Sequence, residues 1–116
     1  MIITSKDTCR ISTLSQNGWP HSVPIGYVFL DDWFYVPAQS YSRKIRNLQR
    51  ESKATIVIDD EETEHGIMIE CNSTILEGRD AKPMKDYMTK VKRWQNNDET
   101  VIIRLEPLRK SSWFLK

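Results

Sequence analysis

The sequence predicts a mainly β protein: an antiparallel barrel of six to seven strands with two attached helices. Three observations carry that expectation. Short β-branched and aromatic runs are separated by hairpin signals at Asn17-Gly18 and Asp31-Asp32. Helical spacing is confined to two segments, one after Ser42 and one after Asp80. Strands and helices do not alternate regularly, as a doubly wound nucleotide fold requires, and no glycine-rich phosphate fingerprint occurs.

The elements follow in order. Thr8 to Ser15 reads as the first strand, and Asn17-Gly18 as a turn whose two central positions take positive φ. His21 to Leu30 is a second, longer strand, turned by Asp31-Asp32 into Trp33 to Val36. A helix capped by Ser42 ends near Glu51. Ala54 to Ile58 is a β-branched run of the kind buried on both faces. The acidic run from Asp59 to Glu64 reads as a solvated loop. Gly66 then opens the strand Ile67 to Leu76, which sets Met68, Glu70, Asn72 and Thr74 against Ile69, Cys71, Ser73 and Ile75.

Gly78 closes that strand. Asp80 can cap the second helix, with Pro83 tolerated in its first turn. Met84, Tyr87, Met88, Val91 and Trp94 recur there as one apolar packing stripe, stopped by Asn96-Asn97. Thr100 to Leu105 and Ser111 to Leu115 are the last two strands, flanking Pro107. Pro24 and Gly26 sit inside a strand, where they cost ladder hydrogen bonds and side-chain packing. They mark either a barrel corner or a place where a flat ring lies against backbone.

At 116 residues the chain is expected to form one domain over 1–116. Four Trp, four Tyr and three Phe can support a core, a subunit interface or a flat ligand, and a barrel this small often completes its burial by dimerising. With 17 basic and 16 acidic side chains the net charge is +1, so nucleic acid is not an expected partner. A barrel binding single strands would need aromatics exposed on a charged sheet face. Cys9 and Cys71 fit buried strand positions, and neither they nor His21 and His65 show metal-ligand spacing. Met1 to Asp7 lacks the apolar core of a signal peptide, and no apolar run approaches the ~18 residues of a membrane span. A cytoplasmic location, with no membrane partner, is the expectation.

The segment from Ser40 to Leu48 carries the most chemistry. Arg43 and Lys44 fall in the first helical turn, where free backbone N–H groups already favour an anion. Cations placed there oppose the helix dipole, so one reading is a phosphate held by Ser40, Ser42, Arg43, Lys44 and the free amides. The other is a solvated basic face anchored by Ile45 and Leu48. The local patch of Arg43, Lys44, Arg46 and Arg50 suits one small anion. His21 reads either as a group beside a ligand or as a half-exposed strand residue. No nucleophile–base arrangement is visible, which gives hydrolase chemistry no support.

Cys9-Arg10-Ile11-Ser12-Thr13-Leu14 with Asn17-Gly18-Trp19-Pro20-His21-Ser22-Val23-Pro24-Ile25 resembles the opening hairpin of the pyridoxamine 5′-phosphate oxidase-like split barrels. Ser42-Arg43-Lys44 with Arg46-Asn47-Leu48 is similar to that family's S-R-K-x-R-N-L segment, and Ala54 to Asp59 and Ile103 to Trp113 resemble its later strands. The resemblance runs in order along almost the whole chain. It implies a split barrel that dimerises, with an FMN in each cleft between subunits. Arg43 and Lys44 would hold the phosphate, helped by Ser42 and Ser40. Val23, Pro24 and Ile25 would run beside the isoalloxazine ring, and Trp113 of the other subunit would complete the cleft. The implied activity is a flavin-dependent oxidoreductase with a small-molecule redox substrate. Short members also bind the deazaflavin F420 or haem, so a non-enzymatic carrier or sensor on the same barrel is the alternative. Arg104-Leu105-Glu106-Pro107 resembles the terminal substrate-binding motif of authentic pyridoxamine-phosphate oxidases, but a further strand follows it. It is therefore read as structural, and the chain as a short relative rather than an authentic oxidase.

Overall fold

Local turn chemistry cuts the first part of the chain into strands. The computed structural model describes residues 2–114, with side chains described up to Ser112. A one-turn helix, α1 (Ile2–Ser5), buries Ile2 and Ile3 and was not expected from the sequence. It leads into β1 (Thr8–Leu14) and β2 (Pro20–Gly26). Between them only Gly18 takes positive φ, not Asn17. The amide of Gly18 donates to Ser15 O and that of Ser15 to Trp19 O. The connection is thus a longer loop closed by a left-handed glycine, in place of the expected two-residue turn.

The strand expected over His21 to Leu30 is broken into β2 and β3 (Val28–Leu30) at Tyr27. Tyr27 is buried, its amide donating to Asp7 O and its hydroxyl to Ile3 O. Asp31 and Asp32 both adopt positive φ and turn the chain into β4 (Trp33–Gln39), which extends three residues beyond Val36. Then come α2 (Arg43–Arg50), β5 (Lys53–Asp60) and β6 (His65–Leu76). After a 3₁₀ turn at Gly78–Asp80 follow α3 (Lys82–Lys90) and β7 (Thr100–Phe114).

One seven-stranded sheet results, in the order β2-β1-β5-β6-β7-β4-β3, with every neighbouring pair antiparallel. Its two edge strands, β2 and β3, are consecutive in the chain and joined through Tyr27 alone. That short covalent link forces the sheet to curl until its edges meet at one corner. Because the edges do not pair with each other, the barrel stays split.

The inner face holds the main core, including Ile11, Phe34, Val36, Ile56, Ile58, Ile103 and Leu105, closed at one end by Ile45 and Leu48 of α2. Burial of each such side chain contributes about 1.5–3 kcal/mol. A smaller cluster lies on the outer face, where Met84 and Met88 of α3 pack with Val28 and Ile102. β5 is buried on one face only. Ala54, Ile56 and Ile58 point inward while Thr55 and Val57 stay half-buried, so the expectation of burial on both faces fails.

Three further expectations are corrected. Asp80 lies in the 3₁₀ turn, and Ala81 occupies the N-cap position of α3 with Pro83 close behind. The apolar stripe divides: Met84 and Met88 are buried, whereas Tyr87 within α3 and Val91 just past its end at Lys90 are exposed. Arg93 then takes positive φ, and the Trp94 amide reaches back to Met88 O, which swings the indole out of the helical row. Finally, Pro107 does not separate two strands. β7 runs through it, because a register shift opposite Glu70 and Cys71 lets Leu108 bulge out.

Candidate functional site

α2 is held against the barrel end by Ile45 and Leu48, and by Asn47, whose buried Nδ2 donates to Thr13 Oγ1 at 3.0 Å. This anchoring fixes which way its first turn faces. Thr13 pairs with His21 across the β1–β2 ladder, so His21 stands on the same face of the edge strand, at the rim beside α2. The positive charges of Arg43 and Lys44 both act on His21 and, after desolvation, hold its imidazole below the usual value of 6.5. Lys44 is half-buried, and desolvation pushes its ammonium below the usual lysine range.

Two polar atoms at this rim are buried without a hydrogen-bond partner: Ser42 Oγ and His21 Nδ1. Ser42 occupies the N-cap position with extended backbone, yet its hydroxyl makes no capping bond. A buried orphan of this kind costs about 1–3 kcal/mol unless something outside the chain satisfies it. Among the described residues no carboxylate forms an ion pair with Arg43, Lys44, Arg46 or Arg50. The rim therefore presents an unsatisfied hydroxyl, an imidazole, a partly desolvated ammonium, a guanidinium and the amides of a helix start. That donor set fits a phosphate group in charge and in chemistry.

The expected residues are not all brought together. Ser40 is turned aside: its amide donates to Glu99 O and its hydroxyl to Glu99 Oε2 at 2.9 Å. Val23 and Ile25 direct their side chains into the main core, so a ligand outside the barrel meets Pro24 and the free backbone edge of β2. Pro24 fits an edge strand, where a missing N–H costs least. Trp113 continues the β7 backbone opposite Gly66, but its side chain lies outside the described residues. His21 is the residue whose part in the cluster the sequence left open. Only the β1–β2 register, set against the Asn47–Thr13 bond, carries it to the cations of α2.

The cavity on the outer face of β1, β5 and β6 has a volume of about 660 Å³ and is bordered by Leu14, Pro20, Thr55, Glu70 and Leu108. Glu70 is bound by Arg109 Nε at 2.9 Å. Leu108, on its bulge, is 63% exposed. No helix among the described residues is long and apolar enough to cross a membrane.

Residues 2–114 match the family model described as pyridoxamine 5′-phosphate oxidase, and the chain belongs to that family. Solved structures share the fold at low identity. General Stress Protein 26 from Bacillus anthracis str. Sterne is 23% identical, with 96% of this chain and 87% of that one covered at a TM-score of 0.79. A FAD-binding protein from Mesorhizobium loti is 17% identical over 96% and 86%, with a TM-score of 0.77. HutZ, the heme storage protein from Vibrio cholerae, is 15% identical over 96% and 87%, with a TM-score of 0.73. A search of the curated proteins finds no match.

Proposed function

We propose that this chain binds FMN through its phosphate at the start of α2 and works as a flavin-dependent oxidoreductase, two copies enclosing each ring. The observation that carries the reading is the buried, partnerless Ser42 Oγ at the start of α2, where no carboxylate among the described residues pairs with Arg43 or Lys44. Ser42, Arg43 and Lys44 would hold the phosphate, and His21 would add an N–H donor. A bound flavin would supply hydride or electron transfer. The protein's part is to anchor the phosphate, present the free edge of β2 and Pro24 to the ring, and exclude water by pairing with a second copy. The apolar cavity bordered by Leu14, Pro20 and Leu108 supports that pairing.

The alternative is a carrier or sensor using flavin, F420 or haem on the same barrel, favoured by the cofactors named for the similar structures from M. loti and V. cholerae. Two measurements separate these readings. The protein is purified, denatured, and the released chromophore identified by absorbance and mass. FMN fits both readings and fixes the cofactor; haem supports the alternative; F420 replaces FMN as the cofactor; a chromophore-free protein that also refuses added FMN sinks the primary reading. Oxidation of reduced nicotinamide by the FMN-loaded protein then distinguishes enzyme from carrier.

A further inference from the structure

A second pair of buried polar atoms without a hydrogen-bond partner lies away from the phosphate clamp: Gln39 Oε1 and Asn96 Oδ1. Both residues line a cavity of about 660 Å³ between the end of β4 and the loop from α3 to β7, together with Thr89, Arg93, Trp94 and Gln95. The Asn96 amide cannot be turned round to find a partner for its oxygen. Its Nδ2 donates to Lys85 O at 3.0 Å and to Thr89 Oγ1 at 2.7 Å, and a carbonyl such as Lys85 O only accepts. Gln39 is oriented in the same sense. Its Nε2 faces Thr100 Oγ1 at 3.5 Å, and that hydroxyl directs its one hydrogen at Asn97 Oδ1. Two acceptors of fixed orientation are thus left without a donor, which is unfavourable until a donor from outside the chain reaches them.

The rest of the lining narrows the chemistry of that donor. Arg93 pairs with no carboxylate among the described residues, and Lys92 Nζ stands over the Trp94 ring at 5.8 Å. Two cations so placed disfavour a cationic guest, and two orphaned oxygens disfavour an anionic one. An uncharged group with N–H donors and a carbonyl meets them all: donors for Gln39 and Asn96, an acceptor for Arg93. The half-buried indole of Trp94 supplies an apolar wall, and the volume is that of a small-molecule pocket. Arg93 and Gln95 are exposed, so rotation of their long side chains opens the way to the two oxygens. We infer that this cavity is a second binding site, which takes a small uncharged molecule joining an apolar ring to a primary carboxamide. Trp94 also lies against Gly26, on the face of β2 that Pro24 shares, next to the edge proposed to face the flavin. A role for the bound molecule as redox substrate rests on that proposal; its binding does not.

The test is a titration of the chromophore-free protein, followed by NMR through the side-chain amides of Gln39 and Asn96 and the indole N–H of Trp94. Three probes of one shape are used: benzamide, which has N–H donors; acetophenone, which has none; and benzoate, which carries a charge. Benzamide should shift all three residues and bind tighter than acetophenone by roughly tenfold or more, the scale of two neutral hydrogen bonds. Benzoate should bind more weakly than benzamide. Gln39→Met removes one acceptor at similar size and should cut the advantage of benzamide over acetophenone several-fold. Gln39→Glu keeps an acceptor at that position and should retain the advantage. No shift at these residues, equal affinity for benzamide and acetophenone, a preference for benzoate, or an advantage that Gln39→Met leaves unchanged would overturn the inference. None of these outcomes bears on Ser42, Arg43 or Lys44, and a protein that refuses FMN leaves this test intact.

Discussion

The indole of Trp94 lies against the backbone of Gly26: a Cβ added at Gly26 would stand 2.8 Å from both Cη2 and Cζ2 of that ring. Trp94 is held there by its amide bond to Met88 O and by the outer cluster of α3. Gly26 is the last residue of β2, one position before the Tyr27 corner that joins the two sheet edges. The contact thus braces the seam where the split barrel is pinned. Gly26 needs no left-handed backbone, so space alone forbids a side chain. Gly26→Ala should destabilise the protein by about 1–3 kcal/mol, the usual cost of overpacking. Urea denaturation of Gly26→Ala, Trp94→Ala and the double variant checks it. The added methyl should cost little once the indole is gone, and equal cost in both backgrounds would disprove the contact's role.

This contact shows how far the sequence could be read. Pro24 and Gly26 signalled either a barrel corner or a flat ligand ring against backbone; the structure shows the corner, and at Gly26 the gap is taken by the indole of Trp94 from just beyond α3. Local chemistry was legible: the aspartate pair turning β3 into β4, the alternation of β6, the start of α2. What was illegible depends on distant pairing. The continuity of β7 through Pro107 requires the register of β6, and the place of His21 requires that of β1. Val91 is exposed just past the end of α3, which helical spacing alone does not reveal.

The clamp at α2 is directly testable. Arg43→Ala with Lys44→Ala should lower FMN affinity by at least about 1.5–3 kcal/mol, the worth of one charge-assisted hydrogen bond. Ser42→Ala should cost less and leave folding intact, since the hydroxyl makes no capping bond. Fluorescence titration measures both. Unchanged affinity in a folded Arg43/Lys44 double variant would place the anchor elsewhere.

His21 offers a readout independent of turnover. Its imidazole is held below 6.5 by desolvation and by Arg43 and Lys44, so it is mostly neutral at pH 7 in the free protein. A bound phosphate neutralises those cations and should raise its pKa, so that binding below neutrality takes up protons. The imidazole resonances, followed by NMR against pH with and without FMN, should shift their midpoint upward on binding. A midpoint indifferent to FMN would separate His21 from the site.

Burial of the two thiols sets an alkaline limit on stability. Cys9 and Cys71 are pushed up to about 12 from an ordinary 9.0 by desolvation, since both lie in the core of the barrel. Unfolded, they lose their protons near 9.0, while the folded chain keeps them until about 12. Through that window the unfolded state binds fewer protons, so stability falls as pH rises. Tyr27, raised by burial and by its charged neighbours, adds the same sign. The urea midpoint should drop above pH 9.0, and a Cys9→Ala/Cys71→Ala variant should show a shallower drop. Thiol reagents at neutral pH should label neither cysteine before unfolding.

The pairing of two copies is the last expectation, and the exposed apolar groups around the outer cavity define its test. Leu14 is 47% exposed, Trp19 73% and Leu108 63%. Leu14 and Leu108 border the same concavity, and Trp19 closes the loop that leaves β1. Large apolar groups clustered in this way mark interaction surfaces more often than chance exposure does. Light scattering should give a mass near twice the 13.7 kDa of one chain. Leu108→Asp sits on a bulge outside the core, so the monomer's own packing should survive it. The charge would be buried unpaired if this face meets a second copy, which should shift the protein toward monomer. Because the ring is proposed to lie between subunits, FMN affinity should fall in step with dissociation. A Leu108→Asp protein that becomes monomeric yet binds FMN as tightly as before would show that one chain suffices for the whole site.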